Sequence, residues 1–175
     1  MILYLIRHTS VDVLPGVCYG QTDVPLKPSF ETEACETAKQ LQGLDFDHVY
    51  TSPLSRCVRL ATFCGYADAQ RDDRLKEILF GTWEMQPFDT ITDPHLQTWY
   101  ADYLHVRATQ GESFEDLFHR VSMFLDELRK QPYSQVAIFA HGGVLISAQI
   151  YAGVLKAEEA MSALTPYGGV IRVEI

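Results

Sequence analysis

The sequence predicts an α/β fold, a mostly parallel sheet in three layers with helices on both faces. Three observations carry this expectation. Two short runs, 2–6 and 136–140, are almost wholly apolar and rich in β-formers, as strands buried on both faces are. Strand candidates lead directly into helical segments after residues 51 and 141. A length of 175 residues with 47% hydrophobic side chains suffices for one sizeable core, so residues 1–175 read as a single domain.

The first run, Ile2-Leu3-Tyr4-Leu5-Ile6, is too short to span a membrane and ends abruptly in Arg7, His8 and Thr9. At the carboxyl end of a central parallel strand, Arg7 and His8 emerge where open α/β sheets place their ligands. Residues 11–28 carry prolines and glycines without helical period and read as a loop over the strand ends, centred on Tyr19-Gly20-Gln21-Thr22-Asp23. Residues from about 30 to 41 look helical, with Ala34, Ala38 and Leu41 as a modest apolar stripe. His48–Thr51 is a short strand. Ser52 as N-cap and Pro53 at the first helical position then open a helix on which Leu54, Cys57, Leu60, Ala61 and Cys64 keep helical spacing. Arg56 falls in its first turns, beside the strand end.

Residues 71–94 are irregular, and about 71–110 reads as an excursion over the site, with a helix over 96–106. Ser113 and Asp116 form an N-terminal capping pattern. Phe114, Leu117, Phe118, Val121, Phe124, Leu125 and Leu128 then mark the clearest helix, closed by Pro132. The second apolar run ends in His141-Gly142-Gly143, and 144–155 reads as a helix. Its amino end, preceded by glycines that let backbone come close, suits an anion. Residues 170–175 alternate as an edge strand.

Fourteen Lys and Arg against twenty-three Asp and Glu leave a formal charge of −9, which argues against nucleic acid or an anionic membrane surface as partner. Cys18, Cys35, Cys57 and Cys64 show no CxxC pair and no metal-finger spacing, so reduced structural thiols are expected. With no basic leader and no long apolar run, the expected location is the cytoplasm.

Arg7, His8, Arg56 and His141 therefore gather two guanidiniums and two imidazoles at strand ends of an otherwise acidic chain. That set suits a dianionic phosphoryl group, because arginine forks match phosphate oxygens and positioned positive charge stabilises phosphoryl transfer. A neutral imidazole whose second nitrogen is held by a hydrogen bond is also a competent nucleophile. An alkoxide leaving group needs a proton from a carboxylic acid, and both Glu77 and Glu84 lie in the irregular segment. His48, His95, His105 and His119 have no such company and read as solvated or satisfied side chains. Arg59, one turn beyond Arg56, reads as a surface partner of an acidic neighbour. Trp83, Phe88, Trp99, Tyr100 and Tyr103 suit either lid packing or stacking on an aromatic base.

Taken together, Leu5-Ile6-Arg7-His8, Ser52-Pro53-Leu54-Ser55-Arg56-Cys57, the stretch 75–84 and Ala140-His141-Gly142-Gly143 resemble the histidine phosphatase superfamily, with its phosphoglycerate-mutase-like fold. The motifs span most of the chain and keep the family's order. Through Tyr19–Asp23, Phe80–Met85 and Gly111–Phe114 the closest resemblance within it is to the α-ribazole phosphatases of cobalamin assembly. The resemblance implies that His8 is the nucleophile, that Arg7, Arg56 and His141 bind phosphoryl oxygens, and that Glu77 rather than Glu84 is the general acid. It places Gln21 and Thr22 in the substrate pocket and requires no metal or other cofactor. Gly142, at the glycine-led helix start, is a further binding position, and the Thr9 hydroxyl either bonds phosphate or crowds the pocket.

The implied activity is hydrolysis of a small-molecule phosphate ester, α-ribazole 5′-phosphate first. A phosphoglycerate mutase, a broad-specificity phosphatase and a non-catalytic phosphoryl-binding module are the alternatives, and a homo-oligomer is compatible with the chain. A metallohydrolase lacks a ligand pair such as HExxH. No CxxxxxR or GxxxxGK[ST] spacing is present for cysteine-dependent or P-loop chemistry. Two departures stand out: Thr9 occupies the position where the family usually has glycine, and Lys27-Pro28-Ser29-Phe30 replaces the family's usual turn before the first helix.

Overall fold

A computed structural model describes residues 1–175, apart from the side chain of Met161. Its strands are β1 (Ile2–Arg7), β2 (His48–Thr51), β3 (Gln70–Arg71), β4 (Gln135–Ala140) and β5 (Val170–Glu174). They form one sheet in the order β3-β2-β4-β1-β5. All neighbours are parallel except β5, which runs antiparallel along β1 and closes one edge.

The alternation of β1 and β4 explains why both read as continuous apolar runs. Leu3, Leu5, Val136, Ile138 and Ala140 point to one face, under α4 (Phe114–Leu128) and α5 (Gly142–Tyr151). Tyr4, Ile6, Ala137 and Phe139 point to the other, under α1 (Phe30–Leu41) and α2 (Ser55–Phe63). Leu5 has no exposed surface, and its truncation to alanine belongs to the class that costs about 2–5 kcal/mol. Among the described residues no helix is long and apolar enough to cross a membrane.

Helix α4 has the expected bounds and the expected capping box. The Ser113 hydroxyl accepts from the Asp116 N–H, and the Asp116 carboxylate accepts from the Ser113 N–H at 3.0 Å. Four local expectations are corrected. Ser52 does not cap α2, which starts at Ser55: its hydroxyl lies 2.8 Å from His141 Nε2 and accepts from the Leu54 N–H at 3.3 Å, ahead of the helix, and the carboxylate of Asp23, reaching over from the first loop, accepts from the Ser55 N–H at 3.0 Å. The helix expected over 96–106 is α3 (His95–Ala101), ended by Asp102 in a non-helical conformation while Val106 and Ala108 turn into a third apolar cluster. The helix expected over 144–155 starts at Gly142 and stops at Tyr151, two residues before Gly153 adopts a left-handed φ of 73°. Arg59 lies over the Phe30 ring at 4.9 Å rather than against a carboxylate.

Ahead of α3, the excursion is built of short 3₁₀ turns at Asp73–Leu75, Gly81–Trp83 and Phe88–Thr90. It packs on its own core of Cys18, Trp83, Leu96, Trp99 and Ala108.

Candidate active site

The register of β1 and β4 sets Arg7 beside Ala140, so the next residues, His8 and His141, leave the sheet side by side. The His8 N–H donates to the Ala140 carbonyl at 3.1 Å, and the two imidazoles stand edge to face with centroids 5.1 Å apart. Arg56 rises from the first turn of α2, fully buried. Glu77 arrives from the irregular stretch, where its Oε2 accepts from the Gly143 N–H at 3.1 Å at the start of α5. Any Cβ at position 143 would collide with the Glu77 carboxylate and with Leu117, so glycine there is what lets the carboxylate reach the backbone.

The tautomer of His8 follows from its partner. Nδ1 lies 2.7 Å from the Thr9 carbonyl, which only accepts, so Nδ1 carries the proton and Nε2 presents a lone pair. Burial, then Arg56, lowers the His8 pKa from 6.5 to about 3, against the opposing pull of the Thr9 bond and with further help from Arg7. The ring is neutral at physiological pH. Burial, then His8 and Arg56, also holds His141 well below the usual histidine range. His141 Nε2 is 2.8 Å from the Ser52 hydroxyl. The Cys57 thiol lies 3.5 Å from the same nitrogen, and burial pushes it up, so it stays protonated.

Both arginines are anchored by backbone carbonyls. Arg7 Nη1 donates to Thr165 at 2.5 Å; Arg56 donates to Thr22 at 3.0 Å and to Gly20 at 2.6 Å. The Nε of each is buried without a partner, as is the Thr9 hydroxyl. Buried donors of this kind, beside a neutral imidazole, suit an oxyanion.

Glu84 is engaged elsewhere. Burial pushes its carboxyl up, but the Thr22 hydroxyl and the N–H groups of Gln21, Thr22 and Phe80 all donate to it and hold it below the usual carboxylate range. It braces the loop that holds Arg56, and Glu77 is the carboxylate that faces the site.

Arg7, His8, Arg56 and Glu77 line one end of a cleft of about 620 Å³, and His141 lies fully buried behind His8. Phe80, Phe88, Trp99, Tyr100 and Tyr103 form its walls. Trp83 is core instead, with its indole N–H on Asp93 at 2.8 Å. Thr9, Gln21, Thr22 and Gly142 do not line this cleft; each touches a residue that does. The Thr9 carbonyl orients His8, Gln21 Nε2 donates to the Glu77 carbonyl at 3.1 Å, the Thr22 carbonyl holds Arg56, and Gly142 flanks the Arg7 guanidinium.

His48, His95, His105 and His119 stay outside the site. His48 stacks on Tyr133, His95 meets the Arg107 carbonyl, His105 pairs with Asp102, and His119 is exposed. Among the described residues no group of three or more His, Cys, Asp or Glu is arranged to hold a metal ion. Sequence reasoning missed two neighbours. The Tyr19 and Tyr167 hydroxyls are 2.8 Å apart, and the Tyr167 ring lies 4.0 Å from the Arg7 guanidinium and 5.5 Å from the His8 ring. Tyr19 stands in the sequence as part of a loop motif with no sign of its partner, and Tyr167 sits in no periodic segment.

Comparison with known proteins agrees with this geometry. The histidine phosphatase superfamily (branch 1) matches residues 3–175. An adenosylcobalamin/alpha-ribazole phosphatase of Escherichia coli K12 is 30% identical over 153 residues, 83% of this chain and 75% of its own. A protein named "Probable phosphoglycerate mutase GpmB" from Escherichia coli O1:K1 is 30% identical over 158 residues, 83% of this chain and 73% of its own. The crystal structure of the alpha-ribazole phosphatase from Shigella flexneri superposes with a TM-score of 0.90 at 27% identity, covering 100% of this chain and 91% of that one. The strand-end histidines and arginines, the mixed sheet and these matches agree: the chain belongs to the histidine phosphatase superfamily and is an enzyme of its phosphatase type.

Proposed function

We propose that this enzyme hydrolyses a nucleoside-like 5′-phosphate, α-ribazole 5′-phosphate first, through a phosphohistidine at His8. The observation that carries the reading is the His8 Nε2 lone pair, in an aromatic-walled cleft that two buried arginines also line. Nε2 attacks phosphorus and the ester P–O bond breaks. The departing alkoxide takes its proton from the Glu77 carboxyl, while Arg7, Arg56 and His141 hold the phosphoryl oxygens. In the second step a water attacks phosphorus, the Glu77 carboxylate takes the water's proton, the N–P bond breaks, and orthophosphate leaves.

The aromatic walls support a substrate with a flat base, and the 30% identity to an alpha-ribazole phosphatase points the same way. A mutase has equal identity in its favour. It must retain a bisphosphorylated intermediate, and among the described residues the cleft carries no cation beyond Arg7 and Arg56.

The test is a chelator-treated panel of α-ribazole 5′-phosphate, 3-phosphoglycerate and simple sugar phosphates. The highest kcat/KM is expected for α-ribazole 5′-phosphate. Tyr100→Ala, at the half-exposed wall, should raise KM for that substrate by about tenfold, the scale of one lost base–aromatic stack, and leave sugar phosphates unchanged. Preferred turnover of 3-phosphoglycerate or of a sugar phosphate would reject the assigned substrate.

A further inference from the structure

We propose that Arg120, paired with Glu112, is a positioning residue that holds Glu77 in place for proton transfer. The inference rests on the reading of Glu77 as the general acid. Glu77 lies in a stretch, 76–80, that belongs to no helix or strand, so no backbone ladder fixes its position. Gln21 Nε2 gives the Glu77 carbonyl one bond from the first loop, and Arg120 supplies most of the rest. From the middle of α4, Arg120 Nη1 donates to the Arg74 and Lys76 carbonyls at 2.7 and 2.6 Å, and Nη2 donates to the Glu77 carbonyl at 2.8 Å.

The remaining two N–H groups form a fork with Glu112, Nε to Oε1 at 2.9 Å and Nη2 to Oε2 at 2.9 Å. All five guanidinium donors are thereby used. Glu112 extends the grip, because its Oε2 also accepts from the Leu79 N–H at 2.9 Å, and its own N–H donates to the Leu79 carbonyl at 2.7 Å. The backbone is thus pinned at Lys76, at Glu77 itself and at Leu79, on both sides of the residue whose carboxylate must meet the leaving oxygen.

The pair is largely buried, with side-chain exposures of 17% and 21%, and only a planar five-donor group reaches three carbonyls and a carboxylate at once. Lysine at position 120 keeps the charge but offers three donors on one atom. A misplacement of about 1 Å costs a positioned step roughly 100-fold, so a shift of Glu77 by a fraction of that costs about tenfold.

The experiment compares kcat/KM for p-nitrophenyl phosphate, whose leaving group needs no proton, with that for an alkyl phosphate, whose leaving group does. The variants are Arg120→Lys, Glu112→Gln and Glu77→Gln. Glu77→Gln should lose about 100-fold more on the alkyl ester than on the aryl ester. Arg120→Lys and Glu112→Gln should show the same selectivity at about tenfold, the scale of a general acid displaced but present. A merely structural role lowers both esters by one common factor. If Arg120→Lys does not fold, Glu112→Gln carries the comparison. Equal loss on both esters in the Arg120 and Glu112 variants, with selectivity present in Glu77→Gln, would overturn this inference alone. Equal loss in Glu77→Gln would overturn the general-acid reading and this inference with it.

Discussion

Lowering the pH from 7 to 5 should destabilise the wild-type protein by about 2 kcal/mol more than a His8→Asn variant. The folded ring stays neutral down to about 3, held there by burial and by Arg56. In the unfolded chain the imidazole takes up a proton as the pH falls through 6.5. Between these limits the unfolded state binds more protons, so stability is complete above 6.5 and is lost as the pH falls toward 3. At pH 5, 1.5 units below the unfolded value, the loss due to His8 is about 2 kcal/mol at ~1.36 kcal/mol per unit; at pH 7 it is negligible. His141 shifts in the same direction, so the variant keeps part of the slope, and the difference between the two proteins reports His8 together with its influence on His141. Urea unfolding at both pH values, with ΔG from linear extrapolation, measures it. The same pH dependence in both proteins would refute the neutral, buried state assigned to His8.

Three further outcomes follow from the contacts around the site. Glu84→Gln should lower stability by about 1–3 kcal/mol in urea unfolding and weaken inhibition by orthophosphate, because the loop carrying the Gly20 and Thr22 carbonyls loses its anchor; unchanged inhibition would contradict the bracing role. Gly143→Ala should fold yet lose roughly 100-fold in kcat as Glu77 is pushed aside, and full activity would contradict the close approach described. Ser113→Ala should cost about 1 kcal/mol in the same unfolding assay, the worth of one N-cap.

Where the chain's chemistry is local, it was legible. The strand ends after Ile6 and Ala140 bring Arg7, His8 and His141 together because parallel neighbours in register share a carboxyl edge. Helix α4 announced both its cap and its face, since a capping box and a helical stripe are written within a few residues. Ser52 shows the limit: its sequence context marks a helix cap, but the helix starts at Ser55, where a carboxylate 32 residues away, that of Asp23, takes the N–H. Glu77 and Glu84 were equivalent by spacing, and only the family resemblance separated them. Physically they differ through four donors converging on Glu84 and the Gly143 N–H facing Glu77, all long-range features except the Phe80 N–H. Arg120 reaches carbonyls 43 to 46 residues upstream and looked like any polar position on an amphipathic helix. The two-residue β3 strand has no buried face to leave a pattern.

The most direct test of the central claim is rapid-quench trapping with a substrate carrying a labelled phosphoryl group. Wild type and Glu77→Gln should acquire acid-labile, alkali-stable label on His8, with more of it retained in Glu77→Gln because water attack loses its base. His8→Asn should acquire none. Turnover without label on His8 in Glu77→Gln, or label on another residue, would contradict the phosphohistidine account.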